Sequence, residues 1–146
     1  MKHRTQTRRR FITSMAQAGA ALSLLHSAGA FAATPTERVL VIGAAGRLGG
    51  RIVGGLVGKG YTVRAFVRPT TDAQLPKGVE RANGELGDRD ALRAALSGVD
   101  RVVFTASAGG SRRPGNLPEA VDYGGVVNTL AVAPAGLKQM VLISSS

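Results

Sequence analysis

The chain has 146 residues and a formal net charge of +10, a length that suits one domain and is too short for two. Five of its 19 basic residues (Lys2, Arg4, Arg8, Arg9, Arg10) fall in the first ten positions, and from Thr34 onward 14 basic residues face 9 acidic ones without a run of either sign. With only Tyr61, Phe66, Phe104 and Tyr123 as aromatics beyond that point, neither a basic stripe nor a stacking platform is present, and no nucleic-acid partner is expected. The absence of cysteine excludes disulfides, thiolate nucleophiles and iron–sulfur ligation. Both histidines, His3 and His26, precede residue 34, so a Ser–His–Asp triad and the usual zinc sites are excluded from the rest of the chain, and no metal is expected.

In chain order, residues 1–33 come first. Thr7-Arg8-Arg9-Arg10-Phe11-Ile12-Thr13 is a twin-arginine run meeting an apolar side chain, and a stretch rich in Ala, Leu, Gly and Ser follows it to Ala33. Gln17 and His26 keep that stretch only moderately hydrophobic, and Ala30-Phe31-Ala32 offers an A-x-A cleavage site. The segment resembles a bacterial twin-arginine signal peptide, which implies recognition by that export machinery and a periplasmic or exported destination. The alternative is an uncleaved leader that anchors the protein to the membrane. The folded domain is expected to occupy residues 34–146.

Arg38-Val39-Leu40-Val41-Ile42 is an apolar, β-branched run of the kind found in strands buried on both faces. Gly43-Ala44-Ala45-Gly46-Arg47-Leu48-Gly49 follows at once, a G-x-x-G-x-x-G turn expected to open a helix that runs to Lys59 and stops at Gly60. Tyr61 to Val67 reads as a second strand, completing a β–α–β unit. In that context each glycine has a reason. Gly43 permits a tight exit from the strand, Gly46 lets the backbone approach a pyrophosphate, and Gly49 lets the helix pack closely on the sheet. The helix N-terminus then offers free N–H groups and a partial positive charge to phosphates. Gly50, Gly54, Gly55 and Gly58 carry no motif, and each inside the helix weakens it by about 0.8–1.0 kcal/mol relative to alanine.

Beyond the second strand, Pro69 and Pro76 preclude a full helix, and Val79 to Asn83 reads as a third strand. Asp88 is placed to cap a helix through Leu92, Ala94, Ala95 and Leu96 that ends near Gly98. A fourth strand is expected from Asp100 to Thr105, then a Gly/Pro/Arg loop to Pro118, a helix over Glu119 to Val132, and a fifth strand from Gln139 to Ser144. Right-handed crossovers with one reversal of winding arrange these as a doubly wound, parallel α/β sheet of five strands in the order 3-2-1-4-5. Val141, Leu142 and Ile143 on the last strand leave an apolar edge that is expected to invite self-association.

Residues 34–146 resemble the N-terminal part of an atypical or extended short-chain dehydrogenase/reductase, nearest to the NmrA-like NAD(P)-binding group. Val41 to Gly49 is similar to that family's phosphate turn, with Ala45 where Thr is commoner. Val63-Arg64-Ala65-Phe66-Val67-Arg68 is similar to its second strand, and Gly84-Glu85-Leu86 stands where the family has Gly-Asp-Leu. Val102 to Ala108 resembles the fourth strand and the loop that passes under the cofactor. Val121 to Asn128 and Met140 to Ser146 resemble the next helix and strand. The resemblance implies a dinucleotide held by Gly43, Ala45, Gly46, Arg47, Leu48 and Gly49, with Glu85 and Leu86 bordering the adenine and Ala106, Ser107 and Ala108 beneath the cofactor. It also implies a small-molecule substrate, and that the C-terminal part of the fold is missing from this chain. Active extended members use a serine after the fifth strand with a Tyr-x-x-x-Lys pair. Ser146 is the nearest match to that serine, but Tyr61 is followed four residues later by Ala65 and Tyr123 by Val127, so the pair is absent and the catalytic residues stay unassigned. A polar strand end explains Ser144, Ser145 and Ser146 equally.

The choice of dinucleotide is read from charge. NAD-selective turns place an acid about 20 residues beyond the glycines. Here no Asp or Glu lies between Glu37 and Asp72, while Arg68 ends the second strand and Arg47 sits in the turn. A guanidinium can hold the 2′-phosphate of NADP in a bidentate contact, so NADP(H) is expected to be preferred over NAD(H), although Arg68 as an ordinary solvated strand end is the alternative. Three roles fit these residues: part of an oxidoreductase or epimerase-like enzyme, a non-catalytic redox-sensing module, or a non-functional fragment.

Overall fold

The computed structural model describes residues 37–109, 114 and 116–143, all within the compact unit Thr34–Ser146; the proposed leader, Ser144 to Ser146 and most of the 110–115 loop lie outside the described residues. Five parallel strands form one sheet: β1 (Arg38–Ile42), β2 (Thr62–Val67), β3 (Glu80–Asn83), β4 (Arg101–Phe104) and β5 (Gln139–Leu142). Their order is β3-β2-β1-β4-β5, as the alternating pattern requires. Pairing runs Arg38 to Thr62 and Ile42 to Phe66 on one side of β1, and Val39 to Arg101 and Ile42 to Phe104 on the other.

Because β1 and β2 lie at the centre, their apolar runs bury side chains on both faces. Val39, Val41, Val63, Ala65 and Val67 point to the face covered by α1 (Arg47–Gly58), through Val53 and the half-buried Ile52, Leu56 and Val57. Leu40, Ile42, Phe66, Val102 and Phe104 point to the other face, where α2 (Arg89–Leu96) supplies Leu92, Ala95 and Leu96 and α3 (Gly125–Ala131) supplies Val126. Asp88 caps α2 as its sequence position suggests, its Oδ1 accepting the N–H groups of Asp90 and Ala91 at 3.0 Å each. At the β5 edge Val141, Leu142 and Ile143 are all exposed. Among the described residues no helix is long and apolar enough to cross a membrane.

One element differs from expectation. The helix read over Glu119 to Val132 is divided: Glu119–Gly124 is π-helical, and only Gly125–Ala131 is α-helical. Gly125 packs where a Cβ would meet Leu86 Cδ1 at 2.8 Å, while Asp122 Oδ2 accepts the Ala108 N–H at 3.2 Å. A widened turn lets one segment meet both demands, and periodicity alone does not register it.

Candidate functional site

Chain winding reverses between β1 and β4, and a cleft opens there at the carboxyl ends of the strands, the place where open α/β sheets bind ligands. A cavity of about 700 Å³ occupies it, within the range of small-molecule and cofactor sites. The glycine turn forms its floor. Gly43 has φ of +83°, which an L side chain rarely adopts, and a Cβ there would lie 2.6 Å from the Ala106 nitrogen. A Cβ on Gly49 would lie 2.2 Å from the Gly43 carbonyl oxygen, so the start of α1 can rest on the turn only as glycine. Gly46 is the N-cap of α1 and supplies no side-chain acceptor, so the first-turn N–H groups of Arg47, Leu48 and Gly49 are offered to the cavity with the positive end of the helix behind them.

The hydroxyl of Thr105 locks this turn to β4, donating to the Ile42 carbonyl at 2.9 Å, while the Thr105 N–H bonds the same oxygen. Nothing in the sequence marks Thr105 for this duty, since only the register of β1 with β4 shows that it reaches the turn. Of the residues proposed from sequence, those of the glycine turn, Arg68, Glu85, Leu86, Ala106 and Ser107 all line the one cavity. Ala108 does not; it is buried behind the lining, tied to Asp122 through its N–H and to the Asn116 side chain through its carbonyl. Thr71, Gly84, Asn116 and Val121 line the cavity as well and were not anticipated. Leu86 is held from outside, its carbonyl accepting Asn128 Nδ2 at 3.0 Å, and Arg89 Nε donates to Asn128 Oδ1 at 2.8 Å.

Two guanidinium groups, Arg47 and Arg68, and one carboxylate, Glu85, stand among the lining residues. Neither arginine has an ion-pair partner among the described residues. Free N–H donors at a helix N-terminus, arginines without an ion-pair partner among the described residues, and apolar lining such as Leu48 and Leu86 suit a ligand that combines phosphates with a flat ring system. No group of acidic or imidazole side chains able to hold a metal occurs among the described residues.

A family model described as NAD(P)H-binding matches residues 43–146. The chain belongs to that family. It is 40% identical over 111 residues to the Methylococcus capsulatus protein named sterol demethylase protein B, covering 73% of this chain and 34% of that one. It is 33% identical over 121 residues to the 3 beta-hydroxysteroid dehydrogenase/Delta 5-->4-isomerase of Mycobacterium tuberculosis, covering 77% and 33%. Among solved structures, a short-chain dehydrogenase/reductase superfamily protein from Agrobacterium tumefaciens with bound NAD superposes with a TM-score of 0.62 at 34% identity, over 75% of this chain and 33% of that one. The domain is thus an NAD(P)-binding Rossmann domain of the short-chain dehydrogenase/reductase superfamily, homologous to oxidoreductases and epimerases of that type. It spans about a third of the length of the curated relatives it matches.

Proposed function

We propose that this domain is the cofactor-binding part of an NADP(H)-dependent oxidoreductase or epimerase-like enzyme, and that it selects NADP(H) over NAD(H). The carrying observation is the pair Arg47 and Arg68, which share one cavity and lack ion-pair partners among the described residues. The glycine turn and the first turn of α1 take the pyrophosphate, Glu85 and Leu86 border the adenine, and Ala106 and Ser107 lie along the remaining wall. Arg68 and Arg47 take the 2′-phosphate through charge-assisted hydrogen bonds. The bound dinucleotide supplies or accepts hydride; the chain's part is to hold and orient it.

Titration calorimetry of the chain with each cofactor tests this. NADP(H) should bind more tightly than NAD(H), with the gap narrowing as salt rises. Arg68→Ala should remove most of the preference and leave NAD(H) binding nearly unchanged. Equal affinities, or a preference indifferent to Arg68→Ala, would refute the selectivity.

We infer that residues 1–33 deliver the protein out of the cytoplasm through the twin-arginine route, a reading supported by Arg8 and Arg9 ahead of the apolar stretch. Replacing both arginines by lysine should leave unprocessed protein in the cytoplasm. Normal export of that double variant would count against the assignment.

A further inference from the structure

The loop that follows Arg68 has no regular structure up to β3, yet it supplies Thr71 to the cavity wall beside Arg68. Two contacts hold Thr71. Its N–H donates to the Arg68 carbonyl at 2.9 Å, closing a turn around Pro69, and its own carbonyl accepts from Arg81 Nη2. Arg81 stands on β3, the edge strand, and its planar head serves three acceptors together: Nη2 reaches Thr71, Nη1 donates to the Ala73 carbonyl at 3.1 Å, and Nε donates to Asn83 Oδ1 at 3.0 Å. Arg81 is not among the cavity-lining residues, and it has no carboxylate partner among the described residues. An exposed arginine with its fork committed to two backbone carbonyls of a single loop is a strap, fixed in direction by Asn83.

We infer that Arg81 is a specificity-determining positioning residue, which holds the Arg68–Ala73 loop against the cavity so that the 2′-phosphate of NADP meets a preformed pocket. This rests on the NADP(H) reading above. The pyrophosphate and adenine contacts come from the glycine turn and from Glu85 and Leu86, on other segments, so a loosened strap leaves them in place. Only a ligand that reaches toward the end of β2 registers the difference. The ordering cost of the loop is met before binding when the strap is made, and falls on the ligand when it is cut.

The test is titration of the full chain with NADP(H) and NAD(H), for the parent and for Arg81→Ala, Arg81→Lys, Asn83→Ala and Arg68→Ala, with melting temperatures as a control for folding. Arg81→Ala should weaken NADP(H) binding on the order of tenfold, the scale of the hydrogen bonds it positions, while NAD(H) binding stays within about twofold. Arg81→Lys should lose most of the same selectivity, because an ammonium cannot span Thr71, Ala73 and Asn83 together. Asn83→Ala keeps the guanidinium and removes only its alignment, so it should shift the NADP(H) to NAD(H) ratio in the same direction by less, and it decides the matter if Arg81→Ala does not fold. A merely structural role would lower both affinities alike and leave the ratio unmoved. Parental selectivity in Arg81→Ala, when Arg68→Ala has lost it, overturns the strap and leaves the NADP(H) reading standing. Parental selectivity in Arg81→Lys overturns it too, by showing that charge alone suffices. Selectivity that is absent in the parent, or untouched by Arg68→Ala, overturns both readings.

Discussion

At the amino ends of the strands, Glu37 accepts Arg101 Nε at 2.7 Å and Lys138 Nζ at 3.1 Å, and Lys138 also bonds Asp100 at 2.9 Å. Asp100 in turn accepts the backbone N–H of Arg38 at 2.8 Å. At the carboxyl ends, Arg47 and Arg68 face a cavity and find no such partner among the described residues. Charged side chains stand at both ends of the sheet, yet Glu37, Asp100, Arg101 and Lys138 at the amino ends pair with one another, while Arg47 and Arg68 at the carboxyl ends have no ion-pair partner among the described residues. Neutralised charge joins segments far apart in sequence, 64 residues in the case of Glu37 and Arg101. Presented charge creates a positive potential that an anionic ligand completes. On the proposed function, the carboxyl end is the one that binds and the amino end the one that clasps.

The largest effect should come from the turn that forms the cavity floor, where fold and binding can be pulled apart. In Gly49→Ala the new Cβ meets backbone 2.2 Å away, and nothing flexible lies there to yield. A loss of about 1–3 kcal/mol or more in stability, together with loss of dinucleotide binding, is expected. Gly46→Ala is the informative companion. Gly46 has φ of −72°, open to any L residue, and its Cβ would only crowd the Gly43 carbonyl at 3.2 Å. Its melting temperature should therefore fall by less than about 4 °C, a change under 1 kcal/mol, while affinity for either dinucleotide drops. Thermal melts read beside titrations check this. Undiminished binding by Gly46→Ala would move the phosphates away from the turn.

These predictions draw on the part of the site that was legible in the sequence, and the reason is local geometry. A buried strand, a glycine spacing and a helix start occupy twelve consecutive positions from Arg38 to Gly49, so their relation needs no knowledge of the rest of the fold. Asp88 is legible for the same reason, since a cap and the N–H groups that donate to it lie within three residues. Thr105, Asn128 and Arg81 act over greater separations or on irregular loops. Thr105 reaches a carbonyl 63 residues away, and nothing in a polar β-branched residue at a strand end distinguishes that duty from ordinary exposure. The π-helical segment escapes for another reason: its register answers to Leu86 and Ala108, neither of which belongs to it. The clasp at the amino ends was equally hidden. Glu37, Asp100, Arg101 and Lys138 are scattered in the sequence and meet only because β1, β4 and β5 lie side by side.

The smallest effect should come from titrating that clasp. Hydrogen bonds from Arg101 and then Lys138 hold the Glu37 carboxyl below its ordinary range, and the Arg38 N–H followed by Lys138 does the same for Asp100. A carboxylate whose folded-state value is depressed contributes stability that is present above its unfolded value and is lost as pH falls through the folded one. The clasp should thus be at full strength from about pH 5 upward and weaken below about pH 4. On the basic side, Asp100 and then Glu37 raise Lys138, so its share persists until the pH climbs beyond the ordinary lysine range. These groups are open to water, so the loss is shallow and diminishes further with added salt. Arg101→Met keeps the aliphatic stem along β4 and removes the principal partner of Glu37. Its denaturation midpoint should lie slightly below the parent's at pH 7 and converge with it at pH 3, with dinucleotide affinity at pH 7 unchanged. An affinity change in Arg101→Met would break the division between the two ends of the sheet. Parallel midpoint curves down to pH 3 would leave that division intact and remove the clasp from the account of acid lability.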